Sequence, residues 1–236
     1  MTVTRSDAGA DVAVSGGKPL DSEMRMALAR IVEKYRFARL TWEGEVVALR
    51  DAPIQRFGRA VVTPPPGAFL QATQEGETAL LDAVRDALGP QQRVADLFAG
   101  SGTLTFPIAE FAEVHCVEGE ATMVQALDKA ARNTQGLRRI TSENRDLFRR
   151  PLQPDELKRF SGVVLDPPRA GAEAQSRCIA RSTVPVVAMV SCNPVTFARD
   201  AGILVSAGYT LDWVRVVDQF RWSTHVELVA RFSRPS

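Results

Sequence analysis

From Gly76 onward the chain alternates short β-branched runs with longer stretches of helical pattern, and this alternation most restricts what it can fold into. Runs such as Pro185-Val186-Val187-Ala188-Met189-Val190 are too short for helices and apolar throughout, so they read as strands buried on both faces. Strands are expected at Val94 to Phe98, Val114 to Glu118, Ile140 to Ser142, Gly162 to Asp166, Val186 to Ser191, Tyr209 to Val216 and His225 to Phe232. Helices are expected at Glu77 to Leu88, Leu104 to Phe111, Ala121 to Asn133, Glu173 to Ala180 and Thr196 to Ala207. The result is a doubly wound α/β sheet, mostly parallel and seven-stranded. Its last two strands are joined by a short connection and are expected to pair antiparallel at one edge.

Residues 1–75 differ. A strand at Val12 to Val14, a helix from Ser22 to Tyr35, a strand over Ala38 to Arg50 and another at Val61-Val62 precede the punctuation Pro64-Pro65-Pro66-Gly67. We expect a small N-terminal α+β segment over 1–75, too small for a core of its own, packed on an α/β domain over 76–236.

The 29 Lys and Arg against 28 Asp and Glu leave a net charge of +1, so any binding of nucleic acid must be local. Cys116, Cys178 and Cys192 are far apart, with only His115 and His225 as partners, which indicates neither a disulfide framework nor a metal site. No apolar stretch reaches the length of a membrane span, and Met1 to Ala10 lacks the regions of a signal peptide. The expected setting is reducing and cytoplasmic.

Val94-Ala95-Asp96-Leu97-Phe98-Ala99-Gly100-Ser101-Gly102-Thr103 reads as strand, glycine turn and helix start. Gly100 and Gly102 let the backbone approach a ligand, and the helix start offers free N–H groups. Glu118 closes the next strand, where a carboxylate can accept both hydroxyls of a ribose. A GxG without a third glycine, preceded by Asp96 and not followed by Lys-Ser/Thr, suits an S-adenosylmethionine (SAM) pocket better than a dinucleotide or P-loop site. The structural alternatives are that Asp96 only caps backbone N–H groups and that Glu118 is a solvated strand end.

Cys192 ends the apolar run before a helix-breaking Asn193-Pro194, which aims its thiol at the cleft lying at the carboxyl ends of the strands. A cysteine taken alone is more often a small buried hydrophobe. Asp166-Pro167-Pro168-Arg169 ends the preceding strand, and Arg169 stands where amino-group methyltransferases usually place a stacking aromatic.

Asp-Leu-Phe-Ala-Gly-Ser-Gly, Asp166-Pro167-Pro168-Arg169-Ala170-Gly171, Ser191-Cys192-Asn193-Pro194 and Asp218-Gln219-Phe220 through His225-Val226-Glu227, in this order, resemble the RNA uracil-C5 methyltransferases that act on transfer and ribosomal RNA. The resemblance runs from about Phe69 to the C-terminus. It implies a Rossmann-like class I methyltransferase, with Cys192 as nucleophile and Glu227 as the base that removes the C5 proton. It also implies SAM contacts from Gln71, Phe98, Glu118 and Asp166, beside Gly100 in the turn. Thr103 stands where the family has a cofactor-touching asparagine, and Ala99 where it often has a cysteine. Full-length members carry an N-terminal RNA-binding β-barrel that residues 1–236 lack, so the chain is expected to be a shortened form or to have RNA recognition supplied elsewhere.

Such chemistry needs these groups. A thiolate adding at C6 of uracil makes C5 nucleophilic, and a carboxylate then removes the C5 proton before the thiol leaves. A free Cys titrates near 8.5, so the site must lower that value or pass the proton to a neighbour; the dipole of the helix after Pro194 is one means. Asp166 or Arg169 holds the uracil edge. The target is single-stranded or flipped out. His225 is open between proton carrier and structural group, and Arg132, Arg138, Arg139, Arg145, Arg149 and Arg150 are open between RNA contacts and a solvated face. The competing readings are a non-catalytic SAM- or RNA-binding remnant and a methyltransferase for amino groups or small molecules.

Overall fold

The N-terminal strands β1 (Thr2–Ser6) and β2 (Gly9–Val14) form a hairpin, and helix α1 (Ser22–Tyr35) carries the chain to β3 (Arg39–Trp42), parallel to β2. The computed structural model describes residues 1–220 and 222–234; Arg221, Pro235 and Ser236 lie outside them. Asp21 starts α1 by accepting the Met24 N–H at 2.8 Å, and Val32 packs with Val12 and Leu40. The stretch expected as strand over Ala38 to Arg50 is two strands, β3 and β4 (Glu45–Leu49). Glu43 and Gly44 break it with φ of 49° and 81°, the positive pair that a two-residue hairpin turn requires. β1 was not expected.

On the other face of this sheet, Arg39 makes a buried bidentate pair with Asp11 at 2.6 and 2.8 Å and also donates to the Pro64 carbonyl at 2.9 Å. A second hairpin, β5 (Gln55–Phe57) and β6 (Ala60–Val62), buries Phe57 and Val62 against Phe106, Leu127 and Ala130. Part of the segment before Gly76 therefore shares its core with the large sheet.

The chain continues through α2 (Gln74–Leu88), β7 (Arg93–Leu97), α3 (Thr105–Ala109), β8 (Glu113–Glu118), α4 (Ala121–Asn133), β9 (Ile140–Asn144), α5 (Pro154–Leu157), β10 (Gly162–Leu165), α6 (Glu173–Ala180), β11 (Val186–Ser191), α7 (Pro194–Ser206), β12 (Thr210–Val217) and β13 (Glu227–Ser233). The strand order is β12-β13-β11-β10-β7-β8-β9. β7 to β11 run parallel, β13 is antiparallel to β12, as expected, and it is also antiparallel to β11. Alternate residues point to opposite layers. Val94, Val114 and Val164 pack with Leu80, Val84 and Ile108, while Ala95, Val163 and Val187 pack with Leu157, Ile179 and Leu204.

Several local expectations change. Asn193-Pro194 starts a helix and does not break one: the Asn193 side chain accepts the Val195 N–H at 3.0 Å, and Pro194 occupies the first turn, where its missing N–H is no loss. α3 is shorter than the expected Leu104 to Phe111, because helical turning already begins in the glycine loop and the chain must reverse into β8. α5 was missed although Gln153, Pro154 and Glu156 form a proline-started capping box. His225 precedes β13, exposed, and is not a strand residue.

Candidate active site

The strand order reverses between β7 and β10, and the crevice outside their carboxyl ends is where sheets of this kind take ligands. Phe98 and Asp166 are the residues immediately after these two strands. Phe98 has φ of 65°, an uncommon conformation for a residue with a Cβ, and its half-buried ring lies 5.3 Å from Phe148. Gly100 (φ 56°) and Gly102 (φ 97°) continue the turn, and a Cβ at Gly100 would meet open space. The Gly100 N–H donates to Glu118 Oε2 at 2.9 Å, while Glu118 Oε1 accepts the Glu120 N–H at 2.8 Å. Glu118 is thus a half-buried carboxylate fixed at the lip of the turn, with lone pairs left for hydroxyl donors. Thr103 lies half-buried just after Gly102.

Asp96 is buried within the last turn of β7. Its Oδ2 accepts Thr105 Oγ1 at 2.5 Å, while Oδ1 has no partner. Burial lifts its carboxyl from the ordinary 3.8 to about 6, against the lowering effect of Thr105. Asp96 is therefore not a simple cap of backbone N–H groups. Thr105 was not singled out in the sequence, since only the fold sets it over Asp96.

Burial, then the charges of Asp96 and Glu227, raise Asp166 to about 7. β11 pairs with β13 as far as Ser191 opposite Leu228, so Cys192 and Glu227 stand one step beyond that register on the two strands, near enough for the Glu227 charge to act on the thiol. Glu227 is 6% exposed and burial raises its carboxyl. Cys192 is half-buried, and its thiol is also pushed up, first by burial and then by Glu227 and Asp166, with Arg169 opposing. Of the two expected routes, a lowered thiol or a proton passed to a neighbour, the site does not provide the first: burial and then the two carboxylates outweigh the backbone hydrogen bond and Arg169. Cys116 and Cys178 are buried, as expected of core thiols.

The loop after β10 is bracketed by α7. Asn193 Nδ2 and Thr196 Oγ1 donate to the Arg169 carbonyl at 3.0 and 3.3 Å, and Asp200 Oδ2 accepts the Ala172 N–H at 2.6 Å. Gly171 (φ 74°) fits only because it lacks a Cβ, which would lie 2.5 Å from Arg199 Nη2. Gln71 comes from the segment before α2, where its Oε1 accepts Gln219 Nε2 at 2.8 Å. Gln219 Oε1 is buried without a partner, and its side chain fills the space that a Cβ of Gly76 would take. The bracket and the contact of Gln219 with Gln71 do not follow from the motifs, because they join residues distant in sequence. His225 makes an edge contact with Phe220 at 6.3 Å and stands outside the crevice group.

Among the described residues no group of His, Cys, Asp and Glu has the arrangement of a metal site, and no helix is long and apolar enough to cross a membrane.

Comparison with known proteins identifies the family and the fold. A family model described as tRNA (uracil-5-)-methyltransferase matches residues 63–234. An uncharacterized RNA methyltransferase of Rhizobium meliloti (strain 1021) is 50% identical over 234 residues, which are 99% of this chain and 56% of the relative. The chain thus spans little more than half the length of such relatives. A 23S rRNA (uracil(1939)-C(5))-methyltransferase of Chromohalobacter salexigens is 36% identical over 172 residues, 72% of this chain and 35% of the relative. The crystal structure of Pyrococcus abyssi tRNA (uracil-54, C5)-methyltransferase in complex with S-adenosyl-L-homocysteine superposes with a TM-score of 0.73 at 20% identity, over 98% of this chain and 58% of that one. The fold is accordingly the Rossmann-like class I methyltransferase fold, and the chain belongs to the tRNA (uracil-5-)-methyltransferase family.

Proposed function

We propose that this chain catalyses methyl transfer from SAM to C5 of a uridine in transfer or ribosomal RNA, with Cys192 as nucleophile and Glu227 as base. The observation that carries the reading is the gathering of Cys192 and Glu227, each one step beyond the β11–β13 register, with Asp166 at the sheet switch point, close enough for both carboxylates to act on the thiol.

The residues fit the cofactor. Glu118 offers acceptors to a ribose, Gly100 leaves open space above the turn, Phe98 presents a ring, Asp166 ends β10, and Gln71 is held by Gln219 past the carboxyl end of β12, at the same end of the sheet. Asp96 contributes an unpartnered buried oxygen. Thr103 adjoins the turn as a further candidate contact. SAM when bound supplies an electrophilic methyl group.

Protonated at neutral pH, Cys192 must lose a proton as its sulfur bonds to C6. Asp166, raised to about 7, is the carboxylate suited to take it, which leaves Glu227 free for the later proton. Addition at C6 puts carbanion character on C5, which takes the methyl group. Glu227 then removes the C5 proton, the C5–C6 double bond re-forms and the thiolate leaves. A high thiol pKa also favours a stable adduct until that proton is gone.

The test is incubation with labelled SAM and RNA lacking 5-methyluridine, with Cys192→Ala as control, and trapping on RNA that contains 5-fluorouracil. The expected result is 5-methyluridine from the unaltered chain and a covalent RNA adduct that requires Cys192. An adduct that persists in Cys192→Ala, or SAM binding without either product, refutes the assignment.

A further inference from the structure

We propose that the groove between the end of α4 and the outer edge of β9 binds phosphates of the RNA substrate, well away from the reacting uridine. This rests on the RNA methyltransferase reading and adds a second RNA contact to it.

The groove holds about 420 Å³, with Ala131, Leu137 and Ile140 as its apolar floor and Arg132 and Arg138 on its walls. β9 is the edge strand, so one side of its backbone is unpaired by the sheet. Gly136 (φ 79°) turns the chain between α4 and β9, and Arg59 from the β5–β6 turn lies against it, with Nη1 2.7 Å from where a Cβ would stand. The Arg138 N–H donates to the Ala109 carbonyl and the Arg139 carbonyl accepts the Val114 N–H, which fixes the backbone of both residues while their side chains stay exposed. Among the described residues none of Arg59, Arg132, Arg138 and Arg139 forms an ion pair.

The structure thus divides the arginines that the sequence left together. Arg145 is held by Glu143, Glu156 and the carbonyls of Arg150 and Pro151, and Arg149 pairs with Asp146. Arg145 is an internal brace, whereas the Arg149 pair is exposed, and Arg150, also exposed, does not line the groove. Arg132 and Arg138 line the groove, Arg59 lies against Gly136 in the turn that leads into it and Arg139 follows Arg138 in the chain, while the single lining carboxylate, Asp128, accepts Ser142 Oγ at 2.6 Å. In a chain of net charge +1 this is a local excess of unneutralised cations facing a cavity, the arrangement that binds polyanions.

Distance selects the ligand. β9 stands four strand spacings from β11, about 19 Å at about 4.8 Å each, and Cys192 lies five residues beyond the level of Thr141, about 16 Å along the strands, so the groove is roughly 25 Å from Cys192. A mononucleotide does not reach both places. An RNA stem that presents its target uridine in a loop does, and a stem is recognised through its phosphates and shape.

The test compares the unaltered chain with Arg132→Gln/Arg138→Gln, with the quadruple variant that adds Arg59→Gln and Arg139→Gln, and with Arg25→Gln on α1 as a charge control. Fluorescence anisotropy follows a labelled RNA hairpin bearing a loop uridine, and the loop oligonucleotide alone, from about 0.05 to 0.3 M KCl. The expected result for the hairpin is a salt slope smaller by about one for each phosphate no longer neutralised, roughly two to three in the quadruple variant. Loop-only binding and the Arg25→Gln control should not change. With a methylatable hairpin, KM should rise and kcat should hold.

An unchanged hairpin slope in both groove variants overturns the proposal. So does a quadruple variant that aggregates while the double variant stays monodisperse and binds the hairpin normally, because the arginines would then merely guard an edge strand. Failure of the methyltransferase reading shows separately, as absence of 5-methyluridine from the unaltered chain, while anisotropy still decides the groove.

Discussion

Asp166→Asn should stabilise the ligand-free protein, increasingly as pH rises, while it reduces methyl transfer. The carboxyl of Asp166 lies beside Asp96 and Glu227, and burial with these two charges raises it from the ordinary 3.8 to about 7. In the unfolded chain it ionises near 3.8 and in the folded protein near 7. Between these values the folded form holds the extra proton, so stability falls as pH rises through the window and levels off above about 7. At about 1.4 kcal/mol per pH unit the full span amounts to about 4 kcal/mol. Water at the mouth of the crevice screens part of this, which leaves about 2 kcal/mol as the working figure. Asn keeps the shape and removes the titration. Urea unfolding at about pH 4.5 and pH 8 should therefore show near-equal stability at the lower pH and a gain of about 2 kcal/mol for the variant at the higher. A difference of the same size at both pH values, or a loss at pH 8, refutes the reasoning.

Three further perturbations test the frame around the site. Gly171→Ala pushes a Cβ to within 2.5 Å of Arg199 Nη2 and 2.6 Å of Asp200 Oδ2 at a φ of 74°, so thermal unfolding should show a loss of about 1–3 kcal/mol and activity should fall with it. Asp11→Ala leaves Arg39 buried and unpaired, for an expected loss of about 3–5 kcal/mol in urea; Asp11→Leu with Arg39→Met should recover most of it. Gln219→Leu removes the hydrogen bond that orients Gln71, so the KM for SAM should rise about two- to tenfold with kcat little changed. Equal losses in kcat alone would place Gln219 with the reacting groups.

The main sheet was legible because its signals are local. Val94, Val114, Val163 and Val187 sit in short apolar runs that can only be buried strands, and Gly100 and Gly102 mark a turn that few other residues could make. Cys192 and Glu227 were legible through motif context, which names residues without saying how they meet. What escaped was set by partners far along the chain. β1 forms only as the mate of β2, and one apolar stretch became two strands because Glu43 and Gly44 take positive φ.

The sequence by itself determined the α/β class and the candidate site residues, since periodicity, turn-forming glycines and a thiol at a strand end are encoded within short windows. Only the tertiary structure decided how those residues act on one another. A pKa depends on desolvation and on charges brought near by topology, so Cys192 is pushed up by burial and by Glu227 and Asp166, although its own neighbours in sequence suggested the reverse. Likewise, similar arginines became braces in one place and free cations in another, because pairing depends on which carboxylates the fold delivers to each.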